Sequence, residues 1–147
     1  PYGKIIDTDE NCPTLTFNTI GRHQSRIVSV RVATNNSPWL KNTNVGDIYN
    51  VPISHGEGRF IAEPDVLESL INNGQVATQY IDLDGNATND IRFNPNNSMQ
   101  AIEGIISENG RVIGKMAHSE RQGDNRFKNI YGEMDQLLIE AGVKYFK

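Results

Sequence analysis

The chain has 147 residues, a formal net charge of -4 and 37% apolar residues. That length suits a single compact domain, and an acidic charge without any basic block disfavours binding to nucleic acid or to anionic lipid. No apolar run approaches the roughly 18 residues of a membrane span, and the chain does not open with the basic-then-apolar pattern of a signal peptide. We therefore expect a cytoplasmic protein that contacts neither nucleic acid nor membrane.

The cysteine and histidine content bounds the redox and metal chemistry. The chain has one cysteine, Cys12, which cannot form an internal disulfide and so fits a reducing compartment. Cys12 and the three histidines show none of the short paired spacings of a structural zinc site. We expect no metal site in the chain.

The first half of the sequence predicts strands around a glycine turn and then a helix. Residues 24–33 and 47–53 alternate in the manner of strands, and 59–62 resume after a turn that contains two glycines. Residues 64–72 predict an amphipathic helix, because Pro64 suits a first helical position and the apolar residues recur at helical spacing. The Asn73-Gly74 pair suits the end of this helix.

The second half predicts a strand, a hairpin and a final helix. Residues 75–83 predict the strand, and residues 101–106 and 111–117 form the hairpin arms on either side of Asn109-Gly110. The final helix is expected at about residues 126–141, followed by Gly142. Its predicted buried stripe is Phe127, Ile130, Met134, Leu137, Leu138 and Ala141. Together the elements predict a β-rich mixed fold with two main helices.

The triplet His-x-Glu occurs twice, at His55/Glu57 and at His118/Glu120. Residues i and i+2 of a strand point to the same face, so the carboxylate can lie beside the imidazole. In that position it fixes the ring tautomer and stabilises the imidazolium of a general base. With 18 acidic residues in 147 the triplet also arises readily by chance. A solvated polar turn is therefore the alternative interpretation of both triplets.

The local sequence favours His118/Glu120 as a catalytic pair. Glycines break the alternation around His55, so that triplet need not bring its side chains together. His118 and Glu120 instead continue one face of the second hairpin arm, which is apolar up to His118. We expect the pair to emerge from the core side at the end of this strand.

A histidine-glutamate pair needs a nucleophile, and the sequence offers none that fits. Cys12 lacks the small neighbours of a strand-to-helix elbow and precedes a proline. The two glycines of the turn at 54–58 lack the lysine-serine pair and the helix of a phosphate loop. The chain thus offers a base and its orienting carboxylate without the attacking thiol.

Four motifs in a fixed order carry a family resemblance: GRHQSRIVSVRV (21–32), VPISHGEGRF (51–60), NPNNS (94–98) and IEGIISENGRVIGKMAHSER (102–121). Over about residues 17–147, the chain resembles the glutaminase domain of phosphoribosylformylglycinamidine synthase, a class I glutamine amidotransferase domain. The similarity is closest to the large single-chain bacterial form. The chain departs from the family at Ala117 and Ser119, where many relatives have proline, and at Asn97, where glycine is common.

The resemblance implies an α/β, flavodoxin-like fold of which residues 1–147 are a single partial domain. The family's cysteine nucleophile lies in a glycine-flanked elbow upstream of the matching region, and no such elbow occurs in this sequence. We therefore expect the C-terminal part of an incomplete class I glutamine amidotransferase domain, without its nucleophile-bearing N-terminal part. Such a cut would also account for Pro1 as the first residue.

The same resemblance implies the site and the reaction. His118 matches the triad histidine and Glu120 the triad glutamate of the family. The region expected to contact glutamine comprises Ser54, His55, Gly56 and Glu57. The parent enzyme would release ammonia from glutamine for the ATP-dependent conversion of formylglycinamide ribonucleotide to formylglycinamidine ribonucleotide in de novo purine biosynthesis. ATP and Mg would bind the parent's synthetase domains, and no cofactor is expected in this chain.

The expected partners follow from the missing parts. They are glutamine, the synthetase domains, the absent N-terminal part and further copies of the chain, which a truncated sheet with an unpaired edge would attract. The isolated chain is expected to have no glutaminase activity. An alternative of another class is a non-catalytic binding or interaction module, whose Asn-rich loops and glycine turn present a surface.

Overall fold

The computed structural model describes residues 12–147, which form two antiparallel sheets and two α-helices. The smaller sheet pairs β1 (Thr14–Thr16) with β4 (Arg59–Ile61). The larger sheet has the order β3 (Ile48–His55), β2 (Gln24–Val32), β5 (Val76–Tyr80), β6 (Ile102–Ile106), β7 (Ile113–Lys115). The helices are α1 (Pro64–Asn72) and α2 (Leu138–Phe146). Neither of these two helices is long and apolar enough to cross a membrane.

The β2–β3 hairpin forms the centre of the core, and both strands agree with their predictions. The two strands pair continuously from Gln24 opposite His55 to Arg31 opposite Ile48. The alternation that predicts β2 buries every second residue, because one face of the strand packs inward. The main buried cluster includes Val28, Val30, Val32, Val51, Ile53 and Tyr80.

Helix α1 begins and ends where the sequence predicts. Pro64 occupies the first turn, and Leu67 is buried in a second apolar cluster with Phe60 and Ile102. Gly74 has a φ of +63°, and the amides of Gly74 and Gln75 bond back to carbonyls of the last turn. This paired arrangement is a Schellman motif, which favours glycine because of the positive φ.

The β6–β7 hairpin is confirmed, but its second arm is shorter than predicted. β7 ends at Lys115, so His118 and Glu120 do not continue the strand. The expected face is also wrong, because Val112 is 61% exposed and Gly114 is exposed, whereas Ile113 packs against the core. The chain leaves the ladder after Met116 because the amide of His118 bonds instead to β3 on the far side of the sheet.

The predicted helix at 126–141 is wrong, since α2 occupies Leu138–Phe146. Residues 126–137 follow an irregular path in which Phe127 and Leu137 have positive φ values of 51° and 50°. This segment lies along β3, where the amide of Asn50 donates to the carbonyl of Glu133 at 2.7 Å. Gly142, predicted to follow the helix, lies inside it.

Candidate active site

The two candidate catalytic residues lie on a turn, residues 116–121, which we call the His118 turn. Its entry pairs with β6 through the Met116 amide and the Glu103 carbonyl, at 3.0 Å. The His118 amide then donates to the carbonyl of Pro52 in β3, at 2.8 Å. A single 3₁₀ turn, Ser119–Arg121, follows. The turn therefore bridges from the β6–β7 hairpin to β3.

Within this turn the imidazole and the carboxylate are in contact. His118 Nδ1 lies 2.8 Å from Glu120 Oε1, and the two side chains are 29% and 65% exposed. No described residue hydrogen-bonds to Nε2 of the same ring. Partial burial acts to raise the pKa of Glu120, but its backbone hydrogen bond and the contact with His118 outweigh burial and lower that pKa. The pair thus combines an ionised carboxylate on Nδ1 with an available Nε2.

The predicted glutamine-contact region lies at the end of β3 and in the turn that follows. Asn18 holds this turn, because its amide donates to the Gly56 carbonyl at 2.8 Å and its side chain donates to the His55 carbonyl at 2.9 Å. Ser54 Oγ lies 3.1 Å from a ring nitrogen of His23. Glu57 is exposed, and no hydrogen bond or ion pair joins it to His55 in the described part of the chain. Only His118/Glu120 of the two triplets forms a pair.

His55 is half-buried, and its ring packs over the turn. A Cβ placed on Gly58 would lie 2.3 Å from ring atoms of His55, so glycine is required there by close approach. Burial lowers the pKa of His55, and the positive charges of His118 and His23 lower it further. The ring is therefore biased toward the neutral form. Its Nδ1 is buried without a hydrogen-bond partner.

The NPNNS motif braces this region from the other side. Asn94 and Ser98 are buried and bond to each other, and Ser98 Oγ accepts the Phe60 amide at 3.1 Å and donates to the Gly58 carbonyl at 3.2 Å. Asn97 has a φ of 59°, a left-handed conformation that asparagine tolerates and glycine adopts freely. This geometry gives a physical reason for the glycine that the family resemblance leads us to expect at this position.

A buried polar cluster beneath the His118 turn was missed by the sequence analysis. It consists of Glu103 on β6, Lys115 at the end of β7, Ser119 and Gln136. Lys115 Nζ donates to Ser119 Oγ at 2.9 Å and to Gln136 Oε1 at 2.6 Å, and lies 3.8 Å from Glu103 Oε1. Burial lowers the pKa of Lys115, against the opposing effect of Glu103. The sequence did contain a signal: Glu103 lies among the apolar residues 101–106, and Lys115 lies among the uncharged residues 112–117.

Two depressions adjoin these residues. One of about 630 Å³ borders the His118 turn and the start of α2, with His118, Ser119, Glu120 and Gln122 in its wall. Another of about 790 Å³ runs over β6 and β7 and is mainly apolar, lined by residues that include Ile102, Ile105 and Met116. Across residues 12–147, no group of three or more His, Cys, Asp or Glu side chains converges as metal ligands would.

Comparison with known proteins gives concordant results. The family model of the CobB/CobQ-like glutamine amidotransferase domain matches residues 1–147. The phosphoribosylformylglycinamidine synthase subunit PurQ of Chlorobaculum tepidum is 41% identical over 127 residues, which are 86% of this chain and 52% of that protein. The PurQ subunit of Thermomicrobium roseum is 43% identical over 116 residues, 79% of this chain and 47% of that protein.

The structural comparison agrees with these sequence matches. The solved structure of PurLQS from Thermotoga maritima superposes with a TM-score of 0.66 at 25% identity, covering 92% of this chain and 54% of that chain. The chain thus spans about half the length of the relatives it matches. The fold is that of an incomplete α/β class I glutamine amidotransferase domain, here β-rich. Because the family model matches the whole sequence, the chain belongs to the CobB/CobQ-like glutamine amidotransferase domain family.

Proposed function

We propose that the chain is the C-terminal part of the glutaminase of phosphoribosylformylglycinamidine synthase, with His118 as general base and Glu120 as its orienting carboxylate. The observation that carries this proposal is the 2.8 Å contact between His118 Nδ1 and Glu120 Oε1, with Nε2 left available. The PurQ subunits among the relatives support the assignment to this synthase. The roles of the individual residues are part of the proposal.

The geometry suits proton transfer at Nε2. With its Nδ1 proton directed at Glu120, the neutral ring accepts a proton from the attacking cysteine thiol at Nε2. Glu120 stabilises the resulting imidazolium. The thiolate then attacks the side-chain amide carbon of glutamine, and the proton on Nε2 goes to the departing ammonia. Water then attacks the glutamyl thioester while His118 again takes a proton at Nε2. The C–S bond breaks, the proton returns from Nε2 to the cysteine sulfur, and glutamate leaves.

The glutamine-contact region is proposed at Ser54, His55, Gly56 and Glu57. Two observations support this position. β3, which ends in Ser54 and His55, also bonds to the amide of His118. At Gly56, an added Cβ would meet nothing within 4 Å, so no described residue fills the space on that side of the turn. A glutamine held by main-chain groups at this turn would extend its amide toward the His118 turn.

The nucleophile is proposed to lie on a preceding part of the same domain, of which residues 1–147 are one portion. The chain covers 52% of the Chlorobaculum relative's length, which leaves room for such a part. The apolar depression over β6 and β7 also supports it, since an apolar sheet face normally packs against another layer. Cys12 is not assigned a catalytic role.

The ammonia acceptor is proposed to be formylglycinamide ribonucleotide, bound in synthetase domains that also hold ATP and Mg. We propose that these domains belong to the same polypeptide, in the large single-chain form, although the relatives named above are PurQ subunits. In this chain the turn at Gly56–Gly58 leads into β4 and not into a helix, so it does not fit a phosphate loop. The mass of the native gene product tests whether the synthetase domains belong to the same polypeptide. A polypeptide no longer than PurQ would contradict the single-chain form.

The first experiment uses the chain alone. Incubated with glutamine, it is expected to release no glutamate, because the base has no thiol to activate. Release of glutamate at a rate abolished in His118→Ala would contradict this expectation.

The second experiment uses the intact gene product. Glutamine hydrolysis is expected to fall by about 10²–10⁴-fold in His118→Ala, in keeping with the loss of a general base. Glu120→Gln should lower the rate less, because it keeps the ring in place but removes the charge that stabilises the imidazolium. Glu108→Gln, on the exposed hairpin turn, is the matched control and should behave as wild type. An intact product without glutaminase activity would favour the binding-module alternative.

A further inference from the structure

We propose that Glu103 is a positioning residue: its buried carboxylate accepts the amide hydrogen of Ala117 and thereby fixes the backbone that presents His118. This inference rests on the proposed glutaminase function, in which His118 is the base. It assigns a role to a residue that touches neither glutamine nor the reacting atoms.

The carboxylate of Glu103 is fully buried, and its oxygens are committed to specific donors. Its side chain has 0% exposure. Oε1 accepts the Ala117 amide at 2.6 Å, and Oε2 accepts the hydroxyl of Thr78. The backbone carbonyl of the same residue accepts the Met116 amide. Glu103 therefore holds two consecutive amides of the His118 turn, one by its backbone and one by its side chain.

Lys115 compensates the buried negative charge of Glu103, and its hydrogen bonds hold the turn on the C-terminal side of His118. Its ammonium lies 3.8 Å from Glu103 Oε1 and is only 11% exposed, so each charge compensates the other away from water. The same ammonium donates to Ser119 Oγ, and both Lys115 and Ser119 bond to Gln136 Oε1. The cluster thus contacts the residue before His118 and the residue after it.

Besides Glu103, this part of the turn is held by a few individual contacts, among them the burial of Ala117 in the main core cluster. The backbone of His118 (φ -94°, ψ 84°) belongs to neither strand nor helix, so no regular ladder fixes its orientation. Its own amide bonds to Pro52, and its carbonyl accepts the Arg121 amide at 3.1 Å. Removing the Glu103 side chain leaves the Ala117 amide without its acceptor and takes away one of the contacts that fix the backbone next to the base. A displacement of about 1 Å at a reacting group can cost about 100-fold in rate.

The test separates positioning from stability by comparing two double variants of the intact gene product. Replacing both members of a buried ion pair by neutral residues avoids leaving one charge uncompensated, so both variants should fold. Glu103→Leu with Lys115→Met removes the acceptor for the Ala117 amide. Glu103→Gln with Lys115→Met keeps an acceptor oxygen, and the Thr78 hydroxyl can accept as well as donate. The two variants differ only at residue 103.

For the glutaminase reaction we expect a difference in kcat and not in KM. The Leu/Met variant should lose about 10- to 100-fold in kcat, with KM for glutamine within about 2-fold of wild type. The Gln/Met variant should stay within about 3-fold of wild type in both constants. Equal kcat values in the two variants would overturn the proposal, whether both are high or both are low.

A second readout does not depend on the reaction. Hydrogen exchange in a peptide spanning residues 116–121 should be at least about 10-fold faster in the Leu/Met variant than in the Gln/Met variant. Identical exchange in the two variants would overturn the positioning role. If wild type shows no glutaminase activity that depends on His118, the proposed function fails, and the exchange comparison still decides the role of Glu103.

Discussion

At the scale of single residues, the two candidate histidines differ in what surrounds their rings. His118 is 29% exposed and keeps one nitrogen on a carboxylate. His55 is half-buried, faces no carboxylate at hydrogen-bond distance, and has a lowered pKa because of burial and neighbouring positive charge. The first environment suits a base that is protonated during turnover, and the second suits a ring that stays neutral.

The neutral state of His55 predicts how stability changes with pH. Because burial lowers the folded-state pKa, the unfolded chain binds a proton at His55 more readily. The contribution of His55 is complete above the unfolded pKa of about 6.5 and is lost as the pH falls from there through the lower folded pKa. The loss of unfolding free energy between about pH 7.5 and about pH 5 should be smaller in His55→Gln than in wild type. Urea titrations measure this, and parallel pH curves would contradict it.

Two neighbouring glycines give a matched pair of predictions. Gly58→Ala should destabilise the chain by about 1–3 kcal/mol, because the new methyl group would overlap the His55 ring, which is itself packed. Gly56→Ala has open space around the new Cβ and should stay within about 0.5 kcal/mol of wild type. Chemical denaturation measures both, and equal effects would show that the ring moves aside freely.

The sequence correctly predicted that the side chains of His118 and Glu120 lie close together, but it predicted the wrong backbone geometry for their contact. The spacing of His118 and Glu120 predicts adjacent side chains on a strand, whereas the contact forms across a 3₁₀ turn. Residue spacing could not reveal this. The strand ends before His118, whose amide bonds to the carbonyl of Pro52, 66 positions earlier in the chain. The role proposed for Glu103 was out of reach for the same reason, since its partners Thr78, Lys115 and Ala117 lie on β5, on β7 and in the His118 turn.

At the scale of elements, local sequence decides some segments and tertiary contacts decide others. Pro64, the apolar spacing and Gly74 agree with one another, so α1 is predicted within a residue or two. In residues 126–137 the apolar spacing is equally helical, yet Phe127 and Ile130 are partly exposed and the backbone is bonded to β3. In this segment, hydrogen bonding to the unpaired edge of β3 is favoured over the helix that the apolar spacing predicts.

Helix α2 depends on a glycine in its interior. A Cβ on Gly142 would lie 2.3 Å from the ring of Trp39, which is held by its indole donation to the Arg111 carbonyl at 2.8 Å. Alanine favours a helix over glycine by about 1 kcal/mol, but overlap with a fixed ring should outweigh that gain. Gly142→Ala should therefore lower stability by about 1–3 kcal/mol.

The matched control for this substitution lies one residue further along α2. Val143 is 45% exposed, so Val143→Ala should change stability by no more than about 0.5 kcal/mol. Thermal unfolding measures both variants. A stabilised Gly142→Ala would mean that Trp39 and α2 separate without cost.

At the scale of the whole molecule, the two outer edges of the five-stranded sheet differ. The edge at β3 is occupied by the His118 turn and by the segment around Glu133. The edge at β7 has no strand beyond it among the described residues, and the apolar depression lies over the same part of the sheet. The predicted unpaired edge is therefore confined to three residues, Ile113–Lys115.

This asymmetry, together with the proposed function, leads to two predictions about association. Mixed with the proposed preceding part of the domain, which would supply the cysteine, the chain should gain glutaminase activity that is lost in His118→Ala. Alone, it should self-associate with increasing concentration, and Val112→Lys beside the β7 edge should weaken that association because like charges repel. Light scattering measures the second effect. A wild-type chain that stays monomeric at every concentration would contradict self-association.

Strand β3 also fixes the distance between the His118 turn and the proposed glutamine-contact region. The His118 turn bonds to Pro52, and His55 of the proposed glutamine-contact region lies three positions further along the strand, or about 10 Å away. A loop between them could absorb an added residue, but a strand cannot. One residue inserted between Pro52 and His55 would increase the distance between the two segments by about 3.3 Å and turn His55 to the opposite face of the strand. Length changes should therefore be tolerated in the exposed turn at residues 83–84 and not in these few strand residues.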